Sequence, residues 1–213
     1  MAVNSPIPAR GRPAPRSSGF TLIEVLIALL ITTLGLLGLA GLQTRLQQAE
    51  FESYQRTQAL VLLYDMVDRV RTNRATLPCF AITTNTASGV PYLGTGAAAA
   101  PACGFSNAAN NAIADATILE WDNLLKGAAE TAGGVSVGAM IGARGCVSYD
   151  ATTELINATT GALIPGTGIF TVAVAWQGMA DTAAPTENCA NTLYGPETRR
   201  RVVSTAFRVA ALN

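Results

Sequence analysis

The chain contains no histidine. That absence excludes Ser-His-Asp and Cys-His catalysis, zinc sites built with imidazole, haem on a proximal histidine, and pH switching by an imidazole. Charge is also scarce. Asp, Glu, Lys and Arg make up 13% of the 213 residues, against about 25% in an ordinary soluble domain. The 14 basic and 14 acidic side chains cancel, so the whole chain carries no signal for binding a polyanion. No Cys-x-x-Cys pair occurs among Cys79, Cys103, Cys146 and Cys189, which argues against a zinc ribbon or a thioredoxin-like motif. No P-loop or dinucleotide glycine pattern is present either. What the chain has in quantity is apolar surface: 49% of residues are hydrophobic, and the mean hydropathy is +0.31.

That apolarity is unevenly spread. Residues 1–19 hold four prolines, the arginines Arg10, Arg12 and Arg16, and no acid; no packed structure is expected there. Phe20 to Leu42 follows, 23 residues with a single charge at Glu24. As a helix this run is long enough to cross a bilayer, and the arginines before it place its start on the cytoplasmic side. It exceeds the apolar core of a cleaved signal peptide, and no Ala-x-Ala-like site follows it. The small residue Gly19 instead precedes it. A cut after Gly19 removes the basic leader and leaves the membrane helix on the mature chain.

Glu24 needs a reason. A carboxylate in such a run costs about 2.5–3.5 kcal/mol at the helix centre and less near the end, and it usually has a partner. Cleavage after Gly19 gives Phe20 an α-amino group about one helical turn before Glu24. The carboxylate can neutralise that amine, in its own chain or in a neighbouring one. It also suits a helix N-terminus. The bland alternative is an isolated Glu snorkelling at a membrane boundary.

The stretch Gly19-Phe20-Thr21-Leu22-Ile23-Glu24-Val25-Leu26-Ile27-Ala28 resembles the processing and methylation signal of type IV pilins and type II secretion pseudopilins. The resemblance implies a prepilin peptidase that cuts after Gly19 and N-methylates Phe20. The methylated amine stays charged, so its pairing with Glu24 survives. Loss of the three leader arginines leaves 11 basic against 14 acidic side chains, a net charge of −3.

Beyond Leu42 the pattern becomes amphipathic. Leu42, Leu46 and Ala49, then Leu60, Leu63, Tyr64, Val67 and Val70, recur at helical spacing. No proline lies between Phe20 and Leu77. This predicts one helix from about Thr21 to Arg74, on the order of 80 Å long. Gly35, Gly38 and Gly41 weaken its middle; they serve either close contact between membrane helices or bending when the subunit leaves lipid. The division expected is a leader (1–19), a transmembrane and assembly helix (20–42), an amphipathic continuation (43–74) and a head (75–213).

In the head, Pro78 and Cys79 are expected to end the helix, and residues 81–112 to form a long loop. The four cysteines allow three pairings. Sequence proximity favours Cys79–Cys103, closing that loop at roughly 3 kcal/mol of stabilisation, and Cys146–Cys189, in an oxidising compartment. Ile113, Thr117, Ile118, Trp121, Leu124 and Leu125 outline a short amphipathic helix with Trp121 as core anchor. Three strands are predicted: 145–149; 169–176, with Phe170, Val172, Val174 and Trp176 on one face; and 201–209, with Val203, Thr205, Phe207 and Val209 inward. The fold class is therefore α+β, a long N-terminal helix against a small antiparallel sheet, which is the pilin layout.

A second, looser resemblance is to PilV-type minor pilins. It rests on Glu120-Trp121, the Gly133-Gly134 turn before Gly145-Cys146-Val147, the strand Phe170–Trp176, and Arg199-Arg200-Arg201-Val202-Val203. It implies a non-enzymatic subunit without cofactor or metal, held in the inner membrane with a periplasmic head and later in the pilus. Its partners would be major and minor pilins, the prepilin peptidase, the inner-membrane assembly machinery, and lipid before assembly. The rival readings are a minor pseudopilin of type II secretion and a signal-anchored binding domain such as an adhesin or DNA receptor. Four features are set aside. Gly134-Val-Ser-Val-Gly138 matches a nucleophile elbow but lacks a histidine base and reads as a flexible turn. Asp115, Glu120 and Asp122 read as a solvated face. Asn157-Ala-Thr159 is a chance sequon. Arg199-Arg200-Arg201 reads as protection of a sheet edge rather than a nucleic-acid contact.

Overall fold

A computed structural model describes residues 19–129, 131–136 and 140–210. The element order is α1 (Leu22–Thr72), β1 (Leu93–Gly94), α2 (Ala108–Leu125), β2 (Thr131–Ala132), β3 (Val135–Ser136), β4 (Arg144–Asp150), β5 (Leu155–Ile156), β6 (Leu163–Ile164), β7 (Ile169–Gln177) and β8 (Arg200–Arg208). The chain forms two compact units that divide between Gln47 and Gln48. In the first, α1 is solvent-exposed along its whole length. In the second, α1 buries Gln55, Ala59, Leu63, Met66, Val67 and Val70. Their spacing of three and four residues puts them on one stripe.

The sheet has four antiparallel strands in the order β1-β4-β7-β8. Phe170, Val172, Val174 and Trp176 of β7 join Val147 of β4 and the buried stripe of α1 in the main core. Val203 and Phe207 of β8 pack against it, and Val209 closes it beyond the strand. The opposite face of β7 is covered as well: Ala173 and Ala175 lie in a second cluster with Cys146, Cys189, Ala190 and Tyr194. Small residues on that face leave room for the segment carrying Cys189.

α2 packs on the same core through Ala114, Ile118, Trp121 and Leu125. Trp121 is fully buried, and its Nε1–H donates to the Leu62 carbonyl at 2.9 Å. Gly145 of β4 lies under that ring. A Cβ there would stand 2.1 Å from Trp121 Cη2, so the close approach of helix and strand requires glycine.

Several expectations are corrected. α1 stops at Thr72, before Pro78 and Cys79. A 3-10 segment, Arg74–Phe80, carries the chain through the proline. The stop is local: Asn73 turns its amide back to the Arg69 carbonyl at 2.8 Å. The loop is shorter than 81–112, because α2 begins at Ala108 with Asn107 as cap, its side chain accepting from Asn110 N–H at 2.9 Å. Ile113, assigned to the helix face, is exposed while Ala114 takes the core position. Four strands form the sheet rather than three, β1 arising inside the supposed loop. Two further hairpins, β2–β3 and β5–β6, stand apart from it.

Two disulfides fix the irregular segments. Cys79–Cys103 joins the 3-10 segment to the approach of α2, with Cα atoms 5.4 Å apart. Cys146–Cys189 joins β4 to the long β7–β8 connection, with Cα atoms 5.7 Å apart.

Candidate functional site

The N-terminal end of α1 carries the residues singled out for processing and assembly. Gly19 and Phe20 precede the helix, and Phe20 is 83% exposed. Glu24 is the third residue of α1 and the acid of its first turn. Thr21 starts the helix: its carbonyl accepts from the Glu24 and Val25 N–H groups at 3.1 and 3.3 Å, and its hydroxyl also accepts from Glu24 N–H at 3.4 Å. Thr21-x-x-Glu24 has the spacing of a capping box, a signal overlooked in the sequence. Glu24 therefore sits where the helix dipole favours negative charge. Among the described residues its carboxylate has no ion-pair partner.

The run that follows suits an apolar surrounding. α1 is long and apolar enough to cross a membrane. Three of its threonine hydroxyls are satisfied by the helix backbone. Thr32 and Thr33 hydroxyls donate to the Ala28 and Leu30 carbonyls at 2.7 and 2.9 Å, and Thr44 donates to Ala40 at 3.1 Å. Such back-bonding removes the cost of placing hydroxyls in hydrocarbon. Leu22, Ile23, Leu26, Leu30, Leu34 and Leu37 remain exposed among the described residues.

Residues 15–40 match the family model of the prokaryotic N-terminal methylation motif. Residues 41–114 match that of type IV pilin Tt1218. Both matches support a type IV pilin. Neither a curated protein nor a solved structure matches it significantly. The pilin motif implies processing by prepilin peptidase and assembly with other pilins. The family is one of structural subunits.

The pilin head shows no triad-like constellation among the described residues. Of the acids on α2, Asp122 is buried, contrary to the solvated-face reading. Its Oδ1 accepts from Gly94 N–H at 2.7 Å and its Oδ2 pairs with Lys126 at 2.5 Å, so it pins β1 to α2. Asp115 accepts from Cys103 N–H at 2.7 Å and holds the first disulfide. Glu120 is exposed and pairs with Arg69 of α1 at 2.8 Å. That hydrogen bond and charge hold the Glu120 carboxyl below its ordinary range. Gly134 lies in the turn of the β2–β3 hairpin, as expected, whereas Val135-Ser136 forms β3; Val137 and Gly138 lie outside the described residues. Asn157 caps the β5–β6 turn, its side chain accepting from Thr159 N–H at 2.9 Å.

The three arginines divide their work. Arg199 pairs with Asp181 at 3.1 Å. Arg200 is 1% exposed, pairs with Glu197 at 2.6 Å and donates to the Glu187 and Cys189 carbonyls. Its buried charge organises the segment before β8, and edge protection is not its role. Arg201 reaches Glu52 of α1 at 3.4 Å, and the same Glu52 oxygen accepts from Met179 and Ala180 N–H at 3.0 and 3.2 Å. Glu52 thus clasps the chain leaving β7 to the helix.

Proposed function

We propose that the protein is a minor pilin of PilV type, a structural subunit that takes part in building a type IV pilus and catalyses no reaction. The leader 1–19 holds the precursor with its head, residues 75–213, on the periplasmic side of the inner membrane. Peptidase cleavage after Gly19 frees the Phe20 amine, which is then methylated. The helix 20–42, continued by 43–74, moves from lipid into a bundle of pilin helices. Glu24 pairs there with an N-terminal Phe20-type amine. The observation that carries the reading is the apolar surface of α1 over residues 22–46, exposed and beginning at the capped, charged turn Thr21–Glu24.

Mass spectrometry of the purified chain tests the processing. The expected product begins at N-methylated Phe20; a mature chain that begins at Met1 or beyond Leu42 sinks the reading. Glu24→Gln tests the assembly. Removing a charge from lipid leaves membrane abundance intact, while the amine loses its partner, so abundance in the sheared-pilus fraction should fall at least severalfold. Equal incorporation of variant and wild type contradicts the role. Co-purification with secretion components instead of pili would move the chain to the pseudopilins.

A further inference from the structure

Arg144 has an environment unlike that of any other arginine outside α1 among the described residues. Arg74, Arg199, Arg200, Arg201 and Arg208 each have a carboxylate or carbonyl oxygen within 3.1 Å. Arg144 has the Gly142 carbonyl at 3.4 Å, from Nη1, and its Nε is buried without a partner. What holds it is aromatic. Its guanidinium carbon lies 4.7 Å from the Tyr194 ring centroid and 5.4 Å from that of Tyr92. Two cation–π contacts hold the group while, among the described residues, leaving its N–H donors without anionic acceptors.

The guanidinium is half-buried, its Nε wholly so, and its Nη groups are flanked by glycine. Gly96 and Gly142 flank it, both with positive φ, +74° and +63°. A Cβ on Gly96 would stand 3.8 Å from Nη2, and one on Gly142 would stand 3.7 Å from Nη1 and 3.3 Å from the Tyr194 ring. Tyr92 and Gly96 also line a groove of about 380 Å³, together with Pro91 and residues 97–101. The Tyr194 hydroxyl is spent on the Gly142 carbonyl at 2.8 Å. Burial raises its pKa to about 12, so it stays neutral beside the arginine. Arg200, the other cation that acts on Tyr194, is already balanced by Glu197.

We propose that Arg144, clamped between Tyr92 and Tyr194, receives an Asp or Glu carboxylate presented by a neighbouring pilin subunit. One uncompensated, planar guanidinium matches one carboxylate in charge and in fork geometry. A phosphate, with more charge, would need a second cation, and Lys126, which lies against Ala99, Ala100 and Pro101, is already paired with Asp122. The groove beside it offers alanine and proline contact and few polar groups. A side chain delivered by a docked protein can use that wall, whereas a small free acid gains only the single pair and bears the whole entropy of association. The surplus of three acids on the processed chain makes a buried-side arginine without a carboxylate a scarce, directional cation at a subunit contact. The proposal rests on the pilin-assembly reading above.

The test uses the full chain in cells, with a photoreactive benzophenone amino acid replacing Ala98 on the groove wall. On irradiation, an adduct with another pilin is expected in the sheared-pilus fraction, and its mapped peptide should contain Asp or Glu. Arg144→Gln should lower the adduct yield about tenfold, the loss of one charged hydrogen-bonded pair. Charge exchange separates contact from folding: Arg144→Glu combined with Arg at the mapped acid should restore the yield. An adduct at a peptide without an acid, an undiminished yield in Arg144→Gln, or failure of the exchange overturns the proposal. Presence of the unsubstituted chain in the pilus fraction with no pilin adduct overturns the site alone. Absence of the chain from that fraction overturns the minor-pilin reading and the site with it.

Discussion

The two stretches of α1 are held in different ways. Between residues 48 and 72 the helix buries six residues in one stripe and is tied by Glu52, Arg69 and the Leu62 carbonyl to the rest of the head. Between residues 22 and 47 it buries none. There it has only its backbone ladder, its threonine back-bonds and the cap at Thr21. Helical stability in water comes mostly from tertiary packing of an apolar face. A stretch without such packing, but with leucines all round, is built to find its packing elsewhere, first in lipid and then among other helices. The head should therefore respond to changes in core and disulfides, and the first stretch to changes in surroundings.

The largest effect is expected from the Cys146–Cys189 bond. It closes a separation of 43 residues, worth about 4 kcal/mol by chain entropy. Changing both cysteines to Ser should lower the denaturant stability of the head by that order in the full-length protein in detergent. Helicity of residues 22–47 should not change. Coupled loss of both would show that the two stretches share their stability.

Gly145→Ala should come next. The added Cβ would overlap the Trp121 ring and reach 2.8 Å from Leu125 Cδ1. Both are core side chains with nowhere to move, so overpacking should cost about 3 kcal/mol, the upper part of its usual range. Tryptophan fluorescence through a urea titration reads it, and an unchanged midpoint would mean that α2 and β4 can separate at little cost.

These effects also mark what was legible in the sequence. The long helix, the two strands with clean alternation and the core role of Trp121 carry their signal in apolar period. β1 carries none: Leu93-Gly94 is two residues, and its place is set by Asp122 and by pairing with β4. The first turns of α2, Ala108-Ala-Asn-Asn, lack an apolar stripe, and only the cap at Asn107 announces them. Asp122 and Arg200 looked like surface charges because burial of a charge depends on partners distant in sequence. Lys126 was one turn away, but Gly94 and the Glu187 carbonyl were not. At the N-terminus the pattern is local, so the proposal for Gly19, Phe20 and Glu24 rests on sequence alone, and the cap at Thr21 lies in the same stretch.

A smaller effect separates the head by pH. Burial first, eased by Arg144, raises the Tyr194 pKa to about 12 from an ordinary 10. The folded state thus prefers the protonated phenol. Its contribution is fully present below the unfolded value and is lost as pH rises through the folded one, between pH 10 and about 12. The head should lose on the order of 2 kcal/mol across that window. Tyr194→Phe should remove this part of the alkaline slope in a series of denaturant titrations. A slope identical to wild type would assign the loss to other groups.

The smallest effect probes the first stretch alone. Gly35, Gly38 and Gly41 have no atom within 4 Å of where a Cβ would stand. In the single subunit an Ala at each position therefore clashes with nothing and changes only helix propensity, by about 1 kcal/mol each. Amide hydrogen exchange of the full chain in micelles should slow about fivefold across residues 35–41 for each replacement, with the urea midpoint of the head unmoved. If exchange slows and incorporation into pili falls, the glycines are needed by neighbours or by bending, and a stiffer helix is a poorer subunit. If exchange is unchanged, the ladder through residues 35–41 is already held by the apolar surroundings, and the contrast between the two stretches lies in packing alone.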